Sequence, residues 1–319
     1  MKRYLLRRLG QGLIVLWAAY TLTFAILFVI PGDPVTLMLN PGGSATYVDP
    51  ALVAQLRHQY GFDRPVLVQY VDRLGHALTG DLGSSIRSAQ PVVSEISQAL
   101  PETLKLATLG LLLALILGGG VATVATYLRS AWLRELLLAL PPIGLSMPTF
   151  WVGIVLLQWF SFRLSWFPSF GNEGFRSLVL PAVALAIPTG AVIAQVLANS
   201  ITAAWQQSFV DTALGKGASR LRIHLRHVLR NALAPTTTML GLIVGNAFAG
   251  SVVLEIVFSR AGIGRLLVTA VSDRDLPVIQ GIVVLSSIVF VLVNLCVDLL
   301  YPVIDPRIVR ADRRRLALG

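Results

Sequence analysis

The sequence predicts an all-α polytopic membrane protein with six transmembrane helices. Three observations carry that reading: hydropathy well above that of soluble chains, six apolar runs of membrane-spanning length, and basic residues gathered on one side of those runs. Of 319 residues, 55% are hydrophobic and only 13% charged, with mean hydropathy +0.73, a composition outside the soluble globular range. Six spans of roughly 20 residues leave room for loops but not for a large catalytic domain. Chemistry carried out by the chain itself is therefore not expected.

The first run, 9–30, holds 22 residues without a charge, enough helix to cross the hydrocarbon core at about 1.5 Å per residue. Lys2, Arg3, Arg7 and Arg8 precede it. The run is too long for a signal-peptide core and ends in Ile30-Pro31-Gly32-Asp33-Pro34 without a small-x-small cleavage site, so it is read as a retained anchor. The other spans are placed at 104–127, 136–162, 178–197, 236–258 and 278–301. Between the first two lies one long extracytoplasmic segment, 31–103, in which Leu52, Val53 and Leu56, then Val66, Leu67, Tyr70, Val71 and Leu74, recur at spacings near three and four. That period predicts short helices lying on the membrane surface or on the bundle.

With the amino terminus inside, six spans place both termini, the 129–135 turn and the 198–235 loop on one side. Sixteen of the 26 Lys/Arg residues fall in those pieces, against four acids. The net charge of +10 thus reports positive-inside topology rather than a nucleic-acid surface. The domain reading follows: 1–30 is the cytoplasmic start and first span, 31–103 the outer segment, 104–301 the five-helix core containing the 198–235 loop, and 302–319 a basic cytoplasmic tail.

Span four carries Ala182, Ala186, Gly190, Ala194 and Ala198 at every fourth position, and span five Thr237, Gly241, Gly245 and Ala249. Such stripes let helices approach closely, within one chain or between subunits. Pro141, Pro142 and Pro148 in span three, with Pro181 and Pro188 in span four, predict bends. Ionisable groups are nearly absent from the spans, Glu255 and Asp298 standing near span ends. An ion-coupled transporter keeps costly charges near mid-membrane, which argues against that class. The uncharged candidates for lining a path include Ser146, Gln195, Asn199, Asn246 and Gln280. No metal site is expected, because His224 and His227 lack a third nearby ligand and Cys296 is alone. There is also no GxxxxGK[ST] phosphate loop, so energy for active transport must come from another chain.

The 198–235 loop reads as a helix, a glycine break at Gly215-Lys216-Gly217, and a second, Arg-rich helix. Asp211-Thr212-Ala213, three residues, then Gly217 resembles the Glu-Ala-Ala-x3-Gly motif by which the permeases of ABC importers dock their ATPases. Thr-Ala-x-x-Lys-Gly over 212–217, followed by Arg226-His227 and Pro235, is similar to the peptide/nickel subfamily. Four further segments agree: Pro31-Gly32-Asp33-Pro34; Gly61-Phe62-Asp63-Arg64-Pro65 with Gln69-Tyr70 and Gly80-Asp81-Leu82-Gly83; Glu255 and Phe258 with Gly262-Ile263-Gly264-Arg265-Leu266 and Arg274-Asp275-x-Pro277; and Asp298-x-x-Tyr301 with Asp305-Pro306-Arg307. The long outer segment resembles that of the B-type, or first, permease of dipeptide and oligopeptide systems. The acid Asp211 departs from close relatives, in which a basic residue often precedes Thr-Ala.

The resemblance implies a type I ABC-importer permease fold in the cell membrane. It also implies a second homologous permease, two cytoplasmic ATPases that hold the ATP and Mg2+ while this chain binds no cofactor, and an extracytoplasmic binding protein. Asp211, Thr212, Ala213, Lys216, Gly217, Arg226 and His227 are the expected ATPase-coupling residues. Glu255, Phe258, Gly262, Gly264, Arg265, Arg274 and Asp275 are expected at the outer mouth, with Gly262 and Gly264 making tight turns and the charged residues pairing to hold the segment's shape. Peptides are the expected cargo. Glutathione-like peptides and nickel chelates remain alternatives within the family, and an ion-coupled transporter or a non-transporting scaffold are the alternatives outside it.

Overall fold

The computed structural model describes residues 2–29, 50–59 and 63–304. The Pro31–Pro34 and Gly61-Phe62 motifs, Asp305-Pro306-Arg307 and the tail from 305 onward lie outside the described residues. Every regular element described is helical. Helix α1 spans Lys2–Val29, α2 Pro50–Gln59, α3 Val66–Leu78, α4 Val92–Tyr127, α5 Ala131–Ser146 and α6 Thr149–Leu156. Helix α7 is Arg176–Trp205, α8 Ser208–Gly215, α9 Arg220–Arg222, α10 Leu229–Val257, α11 Ile263–Ser272 and α12 Leu276–Ile304. The chain divides into two compact units, 1–101 with 262–291, and 102–261 with 292–319.

In the first unit, Val92, Ile96 and Ala99 of α4 pack with Ile263 and Ala270 of α11 and with Val278 and Ile282 of α12. Gly281 permits this approach, since a Cβ there would meet Val92 Cγ1 at 2.5 Å. The short helices α2 and α3 form where the apolar spacing predicts them. Tyr70 of α3 packs its ring edge-on to Phe24 of α1 at 5.3 Å between centroids, and its hydroxyl lies 2.8 Å from Thr21 Oγ1. Leu67, Val71 and Leu78 stay exposed on α3, as suits a helix at a lipid interface.

In the second unit two apolar clusters mark opposite ends. One joins Ala122 of α4 to Leu197, Ile201, Val210, Ile223 and Val228; the other joins Leu106 to Leu157, Leu178, Leu185, Leu254 and Phe258. The small-residue stripe of α7 is buried here, with Ala182, Ala186, Ala194 and Ala198 at 4% exposure or less. Gly190 rests on the backbone of Ala114 and Gly118, so the stripe serves packing within the chain. The span-five stripe is divided: a Cβ on Gly241 would meet Asn294 Oδ1 at 2.8 Å, whereas Ala249 is exposed.

The third span differs from the single helix expected over 136–162. It is a broken pair, Ala131–Ser146 and Thr149–Arg163, bent by 101°. The cause is local. Met147 precedes Pro148, whose ring disfavours helical angles in its neighbour, and Met147 is extended at φ −93°, ψ 116°. Leu138 on α5 packs at one end of the unit and Leu157, beyond the break, at the other, so the pair still runs from end to end. Pro181 and Pro188, by contrast, sit inside α7 without ending it. Among the described residues, four helices are long and apolar enough to cross a membrane, five with the bent pair counted as one.

Candidate functional site

The loop between α7 and α10 folds as a helix, a glycine cap and a second helix. Gly217 adopts φ +78°, the left-handed position that closes a helix C-terminus, with Gly217 N–H on Leu214 O and Ala218 N–H on Ala213 O. No atom lies within 4 Å of a Cβ built there, so this position needs glycine for its backbone angle. Ser219 opens the second helix by accepting Arg222 N–H at 3.4 Å. Its continuation, Ile223–Val228, is a π-helical stretch, a distortion often found at functional positions.

One face of this loop is buried and the other is free among the described residues. Val210, Ile223 and Val228 enter the core. Asp211, Thr212, Lys216, Gly217, Arg226 and His227 are exposed and Ala213 is half-buried. The fold thus brings the expected coupling residues onto one outward surface. It adds Leu214, Leu221 and Leu225, each about half exposed at 50%, 50% and 48%. Apolar side chains beside Lys216, Arg222 and Arg226 suit a protein partner with acidic and apolar surface.

A cluster that the sequence reading missed anchors this surface. His224 is 1% exposed. Its Nδ1 accepts the indole N–H of Trp205 at 3.0 Å, which leaves the Nε2 hydrogen to donate to the Thr123 carbonyl at 3.1 Å. Burial lowers its pKa below the ordinary histidine value, Arg220 adds to that, and the Thr123 carbonyl opposes it. The Arg220 guanidinium lies 5.3 Å from the Tyr127 ring and 5.8 Å from that of Trp205. The loop is thereby tied to the ends of α4 and α7. No metal-binding group of three or more His, Cys, Asp or Glu occurs among the described residues.

The outer-mouth residues distribute differently from expectation. Glu255 and Phe258 are buried at the end of α10 in the second unit, while Gly262 through Asp275 belong to the first. Gly262 is extended at φ −111°, ψ −173° and Gly264 lies buried in the first turn of α11; neither has a left-handed angle. The expected glycine turns are therefore absent, because α11 starts at Ile263 and absorbs Gly264. Arg274 takes the left-handed position, φ 54°, after α11, and both it and Arg265 are exposed.

Asp275 does not rely on an ion pair. Its Oδ2 accepts Ser85 Oγ–H at 2.5 Å and the N–H groups of Ile86 and Arg87 at 3.1 and 3.4 Å, while Oδ1 accepts Val278 N–H at 3.4 Å and caps α12. The ion pair at this place joins Arg87 to Asp273. Within the second unit Arg260, 2% exposed, bonds Glu102 at 2.8 Å and the carbonyls of Gly171 and Ser177 at 3.1 Å each. Neither pair follows from spacing in the sequence, because the partners lie far apart along the chain.

Of the path candidates, Gln195, Asn199 and Asn246 are exposed on α7 and α10. Ser146 is also exposed, but its hydroxyl bonds the Pro142 carbonyl at 2.9 Å. Gln280 is buried on a cavity wall in the first unit.

The described elements are helical, several of them apolar, and the loop between α7 and α10 is exposed and capped at Gly217. Residues 96–310 match the family described as binding-protein-dependent transport system inner membrane component, and 1–107 match its N-terminal model; the chain belongs to this family. It is 37% identical over 308 residues to the glutathione transport system permease protein GsiC of Salmonella typhimurium, covering 97% of this chain and 99% of that one. It is 36% identical over 316 residues, with the same coverage, to a peptide transport system permease protein of Brucella abortus. The fold is similar to that of the MetNI methionine ABC transporter in an inward-facing conformation, with TM-score 0.58 and 16% identity over 66% of this chain and 96% of that one. The chain is a non-catalytic, multi-pass permease subunit of an ABC importer, a class that works with ATPase and substrate-binding partners.

Proposed function

We propose that this chain is the B-type permease of a dipeptide or oligopeptide importer, pairing with a second homologous permease to enclose the path. Two ATPases, which hold ATP and Mg2+, dock on Asp211, Thr212, Ala213, Lys216, Gly217, Arg226 and His227 at the cytoplasmic side, and both termini lie there too. An extracytoplasmic binding protein delivers the cargo at the opposite side. The observation that carries the reading is the exposed 211–227 surface fastened through His224 to Trp205 and Thr123. A partner that pushes on this surface moves the ends of α4 and α7, and a nucleotide acts only by changing how tightly that partner binds it. Similarity to permeases named for peptides and for glutathione, itself a short peptide, supports the cargo class.

The test is reconstitution of the chain with its partner permease, ATPases and binding protein in vesicles. ATP-dependent uptake of labelled dialanine is expected; uptake driven by an ion gradient without ATP would overturn the reading. Orientation is checked in a Cys296→Ser background: a cysteine at Ser88 should react with an impermeant reagent on intact cells and one at Ser219 should not. The reverse pattern defeats the topology.

A further inference from the structure

Seven of the 20 residues from 157 to 176 are aromatic, against 8% of the whole chain. They complete the broken span Thr149–Arg163 and lead into α7, at the end of the second unit opposite the coupling loop. The seven divide by direction. Phe160 and Phe167 pack inward on the apolar cluster of Leu157, Leu178 and Phe258, whereas Trp159, Phe162, Trp166, Phe170 and Phe175 are 51–70% exposed. Neither exposed indole N–H has a hydrogen-bond partner among the described residues.

This exposure is built in. Ser161 Oγ–H donates to Phe167 O at 2.7 Å and accepts Ser169 Oγ–H at 2.7 Å. Trp166 N–H bonds Phe160 O at 2.9 Å, Gly171 N–H bonds Phe258 O at 3.2 Å, and Ala261 N–H bonds Asn172 Oδ1 at 2.9 Å. A segment fastened in this way cannot fold its outward rings back into the core, so they form a standing apolar patch that calls for a partner. Two cations sit among the rings. The Arg163 guanidinium lies 4.7 Å from the Trp159 ring, and that of Arg176 lies 6.0 Å from the Phe167 ring and donates to the Trp166 carbonyl. Both arginines are exposed, and Glu173 is the one acid in the segment. A guanidinium stacked on a ring keeps N–H groups at its edge for a phosphate. The membrane–water interface suits this mixture, because rings enter the acyl boundary while indole N–H and guanidinium groups reach headgroup oxygens. Lipid is favoured over a protein partner by position, since the patch lies where a membrane span ends.

We propose that residues 159–176 dock into the headgroup layer of the bilayer, with Arg163 and Arg176 on the phosphate of an anionic phospholipid. The contact is independent of the cargo.

The test uses the assembled transporter in nanodiscs, with cysteine-free partner chains and a nitrobenzoxadiazole fluorophore on Phe170→Cys in the Cys296→Ser background. Nitroxide-labelled lipid in the bilayer should quench the fluorophore. Labelled phosphatidylglycerol should reach half-quenching at about fivefold lower mole fraction than labelled phosphatidylcholine, the worth of one net positive charge near an anionic surface, two arginines less Glu173. Arg163→Gln brings that net charge to zero and should remove the preference, while quenching by phosphatidylcholine stays as it was and shows an intact fold. Absence of quenching by either lipid means that water or a protein faces the segment, and it overturns the proposal. Equal quenching by the two lipids in the protein with Arg163, or an unchanged preference in Arg163→Gln, overturns the anionic contact.

Discussion

Trp205 donates its indole N–H to Nδ1 of His224 across 3.0 Å, joining the end of α7 to the second helix of the coupling loop. Both rings are stacked, 5.8 Å between centroids. Trp205→Phe keeps the stack but leaves Nδ1 buried and unpaired, a cost of about 1–3 kcal/mol. A lower Tm of the purified complex is expected, together with weaker ATPase co-purification. An unchanged Tm and full co-purification would show that the bond holds nothing.

The same histidine sets a pH dependence. Its folded pKa is depressed by burial, so at high pH both folded and unfolded states hold it neutral and it contributes no pH-dependent change. As pH falls below the unfolded value, about 6.5, the unfolded chain gains a proton that the folded chain resists, and stability drops. The Tm should fall between about pH 7.5 and 5.5, less steeply in His224→Gln. Equal slopes in the two proteins count against the buried neutral imidazole.

The sequence made the apolar spans and the coupling loop legible because period and motif are local properties. Gly217 is an example: its place after Thr212-Ala213 and before Ser219 marks a break, and φ +78° confirms one. What stayed hidden was long-range. His224 meets Thr123 from 101 positions away and Asp275 meets Ser85 from 190, distances over which spacing carries no signal. The outer segment misled for a local reason: Gly262 and Gly264 look like turn residues, yet Ile263, Leu266 and Leu267 supply an apolar face strong enough to carry helix through the second glycine. The 101° break at Met147-Pro148 was half legible, since prolines mark a bend without giving its size.

Gly217 provides a third prediction. Left-handed angles cost a residue with a Cβ about 1–2 kcal/mol and least for asparagine. Gly217→Asn should therefore keep ATP-dependent uptake, Gly217→Val should lose most of it, and Gly217→Trp should abolish it with membrane insertion intact. Gly215→Ala is the control, because it lies in α8 with open space around it. Uptake equal in the Asn, Val and Trp variants would remove the cap from the mechanism.

Arg260 is held by Glu102, Gly171 and Ser177. Removing one partner of a buried ion pair costs about 3–5 kcal/mol. Arg260→Met should destabilise the chain by taking the guanidinium from Glu102 Oε2, although Lys105 still holds Oε1 at 2.6 Å, and by removing that donor from the Gly171 and Ser177 carbonyls. Adding Glu102→Gln should recover part of the loss, since the oxygen that faced Arg260 then carries no charge. Expression level and detergent Tm of the single and double variants decide it. If the double variant is as impaired as the two separate losses combined, the two side chains are not coupled.

A close approach of two helices in the second unit gives the last prediction. A Cβ at Gly118 of α4 would overlap the Gly190 carbonyl oxygen of α7, a backbone atom that no rotamer change can move aside. At Gly119, the next residue, a Cβ meets nothing within 4 Å. In lipid the helices are held mainly by packing and polar contacts, so separating α4 from α7 loosens the stripe of Ala182, Ala186, Gly190 and Ala194 against which α4 lies. Gly118→Ala should cost about 1–3 kcal/mol, the usual range for an overpacked core, whereas Gly119→Ala should be neutral or slightly stabilising by helix propensity. Thermal unfolding of the two variants in the same detergent compares identical chemistry one residue apart. A Tm loss confined to Gly118→Ala supports the close crossing, and equal Tm values would mean that α4 and α7 do not meet at these glycines.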